Sequence, residues 1–135
     1  MDANVVLAKR LIAAFERWDR DAIAEIIHAD AVIDVSVRAV DGGIYRGPDG
    51  AMEQYRKWIG AFDDYEWELE ELIPGDDFVL VLFREGGRGK GSGVPIHHQG
   101  VVLWRFDDGN LVEFTPYVDR AEGFRAAGLE PPADQ

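Results

Sequence analysis

Residues 101–116, VVLWRFDDGNLVEFTP, decide how the rest of this sequence reads. Two β-branched and aromatic runs flank Asp107–Asp108–Gly109, the turn chemistry of a β-hairpin. A three-residue loop with Gly109 left-handed in a G1 bulge sets Phe106 opposite Asn110, Trp104 opposite Val112, Val102 opposite Phe114 and Gly100 opposite Pro116. A two-residue Asp108–Gly109 turn would instead pair Trp104 with Glu113 and mix polar with apolar side chains on both faces. Register follows burial, which favours the bulge. On that register His98, Gly100, Val102, Trp104, Val112, Phe114 and Pro116 face inward, and Gln99, Val101, Leu103, Arg105, Leu111, Glu113 and Thr115 face outward. The outer face is still half apolar, as a solvated face rarely is. A partner sheet from a second subunit, and hence a homodimer through the outer sheet face, is the expectation.

Upstream, VPIHHQGVVLWRF (94–106) and DDFVLVLFRE (76–85) read as strands, joined through the glycine-rich FREGGRGKGSG (83–93). Its Gly-x-Gly rhythm suggests a phosphate cradle. Such cradles need a strand, a glycine loop and then a helix N-terminus, whose free N–H groups hold the anion. Here a strand follows, and Lys90 precedes glycine where a P-loop requires Ser or Thr. The stretch is a hairpin connection, kept solvated by Arg88 and Lys90.

YEWELEEL (65–72) alternates, with Tyr65, Trp67 and Leu69 on one face, and turns into the next strand at Pro74–Gly75–Asp76. DAVIDVSV (30–37) is another strand. NVVLAKRLIAAFERW (4–18) places Val5, Ala8, Leu11, Ile12, Phe15 and Trp18 at helical spacing. Asp19 or Asp21 caps a second helix, AIAEIIH (22–28). After a glycine-punctuated loop, Gly47–Pro48 opens a third, since proline suits the first helical position. Asp119, three residues before Glu122, starts a last short helix that Gly128 stops. The order α-α-β-α-β-β-β-β-α describes an α+β fold, a mostly antiparallel sheet with helices on one face. It forms one domain over 1–129, with a flexible tail at 130–135.

Bulk composition agrees. The 135 residues are 47% apolar, enough for a real core, and include no cysteine for disulfides or thiolate chemistry. A net charge of −12 repels phosphate backbones and anionic lipid, so neither nucleic acid nor a membrane is an expected partner. No basic region followed by an apolar run opens the chain, and a cytoplasmic location is expected. Three histidines without ligand spacing predict no metal, and nothing predicts a cofactor.

Three stretches in order, AIAEIIHADAVIDVS, YRGPDGAMEQYRKW and VVLWRFDDGNLVEFTPYVDRAEGFRAAGL, resemble the SnoaL-like branch of the nuclear transport factor 2-like superfamily. The resemblance runs from Leu7 to Leu129. It implies a cone-shaped, curved antiparallel sheet wrapped around the helices, a pocket at the open end, and frequent dimerisation. It also shows which acids are missing. The general-base aspartate, oxyanion-hole tyrosine and protonated aspartate of ketosteroid isomerase match Val35, Leu11 and Val102. The last-strand aspartate of the cyclases and the epoxide hydrolase matches Pro116. The hydrolase's Arg and Asp on an earlier strand match Phe83 and Glu85, of which only Glu85 keeps an acid.

Glu85 and His98 are therefore the ionisable groups expected to meet an apolar cavity, as general base and as acid or orienter, with burial raising the glutamate's pKa. Tyr45, Trp58, Phe83, Val102, Trp104 and Phe114 are the expected ligand-binding wall, while Trp18 and Tyr117 are read as packing residues. The function expected first is binding of a small hydrophobic molecule without chemistry. The alternatives are a small-molecule hydrolase, dehydratase or cyclase acting through Glu85 and His98, and a non-catalytic accessory dimer.

Overall fold

The computed structural model describes residues 2–37 and 42–132; of the tail expected at 130–135, residues 133–135 lie outside the described residues. Helices α1 (Ala3–Glu16), α2 (Arg20–Ile26), α3 (Gly47–Ile59) and α4 (Arg120–Ala126) accompany strands β1 (Ile27–Asp34), β2 (Ile44–Arg46), β3 (Phe62–Pro74), β4 (Phe78–Gly89), β5 (Pro95–Asp107) and β6 (Asn110–Pro116). They form one curved six-stranded sheet in the order β2-β1-β6-β5-β4-β3. All neighbours are antiparallel except β1 and β6.

Local chemistry sets the helix starts. Asp2 accepts the amides of Asn4 and Val5, Asp19 that of Ala22 and Asp119 that of Glu122, satisfying first-turn donors that have no partner inside the helix. At α3 Pro48 occupies the first turn, and Gly47 adopts φ +68 under the Ala29 carbonyl, where a Cβ would sit 2.6 Å from that oxygen. The segment read as loop before α3 contains β2, a three-residue edge strand paired with Val32–Asp34. The glycine-rich run is indeed a hairpin connection. Gly86–Gly89 continue β4, and the turn spans only 90–94.

The β5–β6 register differs from the expectation. The turn is the two-residue Asp108–Gly109, both with positive φ (50 and 82), and Phe106 faces Leu111. Extra length is absorbed further along: Phe106 pairs with Leu111 but Arg105 with Glu113, so Val112 is the bulge. Trp104 therefore faces Phe114 and Val102 faces Pro116. Leu111, expected outside, is fully buried in the inner core.

The inner core joins Leu11, Ile23, Ile33, Val81, Phe83, Val102 and Trp104 under α1, α2 and α3. A second cluster on the opposite face joins Phe78, Leu80, Leu82, Val101, Leu103 and Phe124, with Tyr117 and Leu129 packed on it. The apolar outer face that suggested a second subunit is thus covered by α4 of the same chain. Arg120 fastens that cover: its Nη2 donates to the Phe83 carbonyl at 2.8 Å and its Nε to the Gly100 carbonyl at 3.3 Å. Its guanidinium also pairs with Glu70, whose carboxyl this hydrogen bond holds below the usual range. Among the described residues no helix is long and apolar enough to cross a membrane.

Candidate functional site

Between the inner sheet face and the helices lies a cavity of about 100 Å³. Leu11, Ile12 and Phe15 of α1 line one side, Ala51, Tyr55 and Trp58 of α3 another, and the sheet supplies Ile33, Val81, Val102, Trp104 and Phe114. Trp67 and Phe83 stack at 5.4 Å along its wall. Phe83 leans over Gly100, where a Cβ would come within 2.2 Å of the ring. The missing side chain is what makes room for that ring.

One ionisable group is buried in this wall. Glu85, 6% exposed, stands on β4 beside Trp67 of β3 and His98 of β5. Its Oε1 accepts from Trp58 Nε1 at 2.9 Å and from the Tyr65 hydroxyl at 2.7 Å. Its Oε2 lies 2.9 Å from His98 Nδ1. Burial pushes the carboxyl up, but the bonds from His98, Trp58 and Tyr65, together with the His98 charge, outweigh it and hold the group below its ordinary range. The raised value expected for Glu85 is corrected on this point, because three donors surround the charge. An ionised carboxylate only accepts, so His98 Nδ1 carries the hydrogen and Nε2 is left as the ring's exchangeable position. The Tyr65 phenol is pushed far up by burial and by the adjacent carboxylate, and stays a donor.

Trp58, Tyr65 and Glu85 also form a partition. On their other side is an open cleft of about 660 Å³, lined by Phe62, Lys90, Ile96, His97 and His98. His98 belongs to this cleft, its side chain 42% exposed, and not to the inner wall.

Of the expected residues, Trp58, Phe83, Glu85, Val102, Trp104 and Phe114 all line the inner cavity. Tyr45 does not; it stands on edge strand β2 with Lys57 over its ring at 5.3 Å. Tyr65 was overlooked as a site residue, although its alternation with Trp67 placed it on the inner face beside Glu85. Tyr55 was overlooked too. It meets Phe15 and Trp18 at 5.2 and 5.4 Å, and burial raises its phenol pKa. Among the described residues no three His, Asp or Glu side chains converge as metal ligands.

A curved sheet closed by helices over an apolar hollow defines the cone-type α+β pocket proteins. The sequence matches the SnoaL-like domain over residues 8–114, and the chain belongs to that family. Solved structures agree on the fold. A nuclear transport factor 2-like protein of unknown function from Burkholderia pseudomallei is 22% identical, with a TM-score of 0.73 over 93% of this chain and 97% of that one. A putative SnoaL-like polyketide cyclase from Jannaschia is 20% identical, with a TM-score of 0.70 over 96% and 94%. TerC, co-crystallised with polyporic acid, is 18% identical, with a TM-score of 0.71 over 90% and 95%. No curated protein matches the sequence.

Proposed function

We propose that this SnoaL-like domain binds a small hydrophobic molecule in the inner cavity. The observation that carries the reading is the cavity wall: mostly apolar side chains from two helices and the sheet, interrupted by Glu16, Gln54, Tyr55 and Tyr65 and by Glu85, a carboxylate whose two oxygens are already engaged. Such a wall favours an uncharged, apolar guest. The volume is of the same order as the roughly 150 Å³ apolar cavity known to take up benzene, so the guest is of single-ring size. TerC, of the same fold, was crystallised with an organic molecule, which is in keeping with this use of the fold.

Thermal denaturation in the presence of toluene tests it. Saturating toluene raises the Tm of the wild type, and Ala51→Leu, which fills the cavity from α3, removes that rise. No rise in the wild type would end the reading.

One observation favours a second reading, acid–base catalysis. The Glu85–His98 contact at 2.9 Å joins a buried anion to an imidazole on the open cleft. The roles are then exchanged relative to the sequence expectation: Glu85 orients, and His98 Nε2 takes or gives the proton. A hydrolysis, dehydration or cyclisation run this way loses turnover in His98→Asn while the compound still binds. A homodimer is compatible with either reading, using outer surface that α4 leaves free; sedimentation velocity measures it.

A further inference from the structure

The glycine-rich run that fails as a phosphate cradle still contributes to a concave surface. Gly86, Gly89 and Lys90 line the open cleft of about 660 Å³ beyond the Trp58–Tyr65–Glu85 partition, together with Ile96, His97 and His98. The two glycines supply bare backbone where β4 passes the cleft. Lys90 begins the turn after β4, and its backbone N–H donates to the Ala61 carbonyl at 3.0 Å. That bond ties the turn to the chain just beyond α3.

Two features set this lining apart from the inner cavity. One wall is aromatic: Trp58 and Phe62 meet edge to face at 5.1 Å, and Phe62 and Tyr65 lie tilted at 5.5 Å. Three rings in succession, with Ile96, offer a flat apolar body a surface to stack on. The other feature is charge. Among the described residues the lining holds a single acid, Glu85, which is 6% exposed and has both oxygens engaged by Trp58, Tyr65 and His98. Lys90 is exposed and makes no ion pair among the described residues, whereas Arg88, two positions earlier, is paired with Asp64 at 2.6 Å. A lysine ammonium rides on a flexible four-carbon stem and adapts to a charge placed beside it. His98 adds a second polar group, since its Nδ1 is spent on Glu85 and Nε2 is not.

We infer that the cleft is a second binding site, separate from the inner cavity, and that its ligand is a flat two-ring organic monocarboxylate. Its rings lie against Trp58, Phe62 and Tyr65, and its carboxylate meets Lys90 and His98. The volume falls within the range of about 300–1,000 Å³ typical of small-molecule clefts, several times that of the inner cavity. One ammonium and one imidazole match a single negative charge. A phosphate or a dicarboxylate would bring a second, and the lining has no arginine among the described residues to take it. An uncharged molecule of the same shape would leave Lys90 unmatched.

The test titrates 2-naphthoate and 2-acetonaphthone, matched in shape and different in charge, into the full chain by calorimetry. The wild type binds the carboxylate more tightly than the ketone. Lys90→Gln, at an exposed turn position whose backbone hydrogen bond it keeps, weakens naphthoate about three- to fivefold, the size of one exposed ion pair. It changes the ketone by less than about twofold. Location is read in the wild type, where nuclear Overhauser contacts run from the naphthoate ring protons to Ile96 and His98. The site is overturned if naphthoate does not bind, if the ketone binds as tightly, or if Lys90→Gln affects both probes alike. Contacts to Leu11 and Val102 of the inner cavity in place of Ile96 and His98 would overturn it equally. Toluene uptake by the inner cavity is independent of all these outcomes.

Discussion

Strands β4 and β5 present two apolar faces built from alternating residues, and the inner one borders a hollow while the outer one is packed under α4. Inward, Val81, Phe83, Val102 and Trp104 border the cavity; outward, Leu80, Leu82, Val101 and Leu103 are sealed. Hydrophobicity does not separate them. The spacing of the covering helix does. On the outside Gly123 of α4 lets the helix approach so closely that a Cβ there would lie 2.6 Å from Val101 Cγ2, and Phe124 fills what remains. On the inside the rings of Phe15 and Tyr55, edge to face at 5.2 Å, and of Trp58 and Trp67 border open space between the helices and the sheet. Large rings that meet one another at the rim leave space behind them, whereas a glycine contact removes it.

The comparison breaks most visibly on the sealed side. Phe124→Ala is expected to cost about 3 kcal/mol, the cost of emptying a filled site, while toluene binding below the Tm stays at wild-type strength. Chemical denaturation and titration read the two quantities separately, and loss of binding without loss of stability would reverse the assignment of the faces.

Next in size is the partition. Glu85→Gln keeps the shape but replaces one acceptor oxygen with a donor facing Trp58, Tyr65 or His98, at about 2 kcal/mol. The sign of the pH effect follows from the lowered carboxyl. The ionised, hydrogen-bonded form stabilises the fold fully above the ordinary carboxyl value of about 4.3, and that contribution is lost as pH falls through the lower folded value. Acid unfolding curves should therefore be steeper for the wild type than for Glu85→Gln; equal slopes would show that the carboxylate is not held this way.

The smallest effect sharpens the cavity itself. Gly100→Ala drives the Phe83 ring off its seat and toward the hollow, at about 1–2 kcal/mol of stability, and weakens toluene more than it weakens the fold. An unchanged toluene affinity would mean that the ring does not set the cavity's size.

Much of this was legible beforehand. Helical spacing found α1 and α3, Gly47–Pro48 marked the start of α3, and alternation placed Trp67, Leu69, Val102 and Trp104 on the inner face. The β6 register was not legible. A bulge at Val112 leaves no mark when its neighbour Leu111 is equally apolar, so the slip looked like part of the turn. Nor was the outer cover. A seven-residue helix such as α4 is too short for its periodicity to say which face it docks on, so the apolar strands beneath it were read without that cover. The pKa direction at Glu85 depended on donors from α3, β3 and β5 meeting at one point, which no spacing along the chain encodes.

Xenon under pressure tests the asymmetry of the two faces directly, because a dry apolar hollow takes up the gas and a packed interface does not. Diffraction from xenon-treated crystals should show xenon between Leu11, Val81 and Phe114, and none between α4 and Val101. Xenon beneath α4, or an inner face that admits none, would contradict the account.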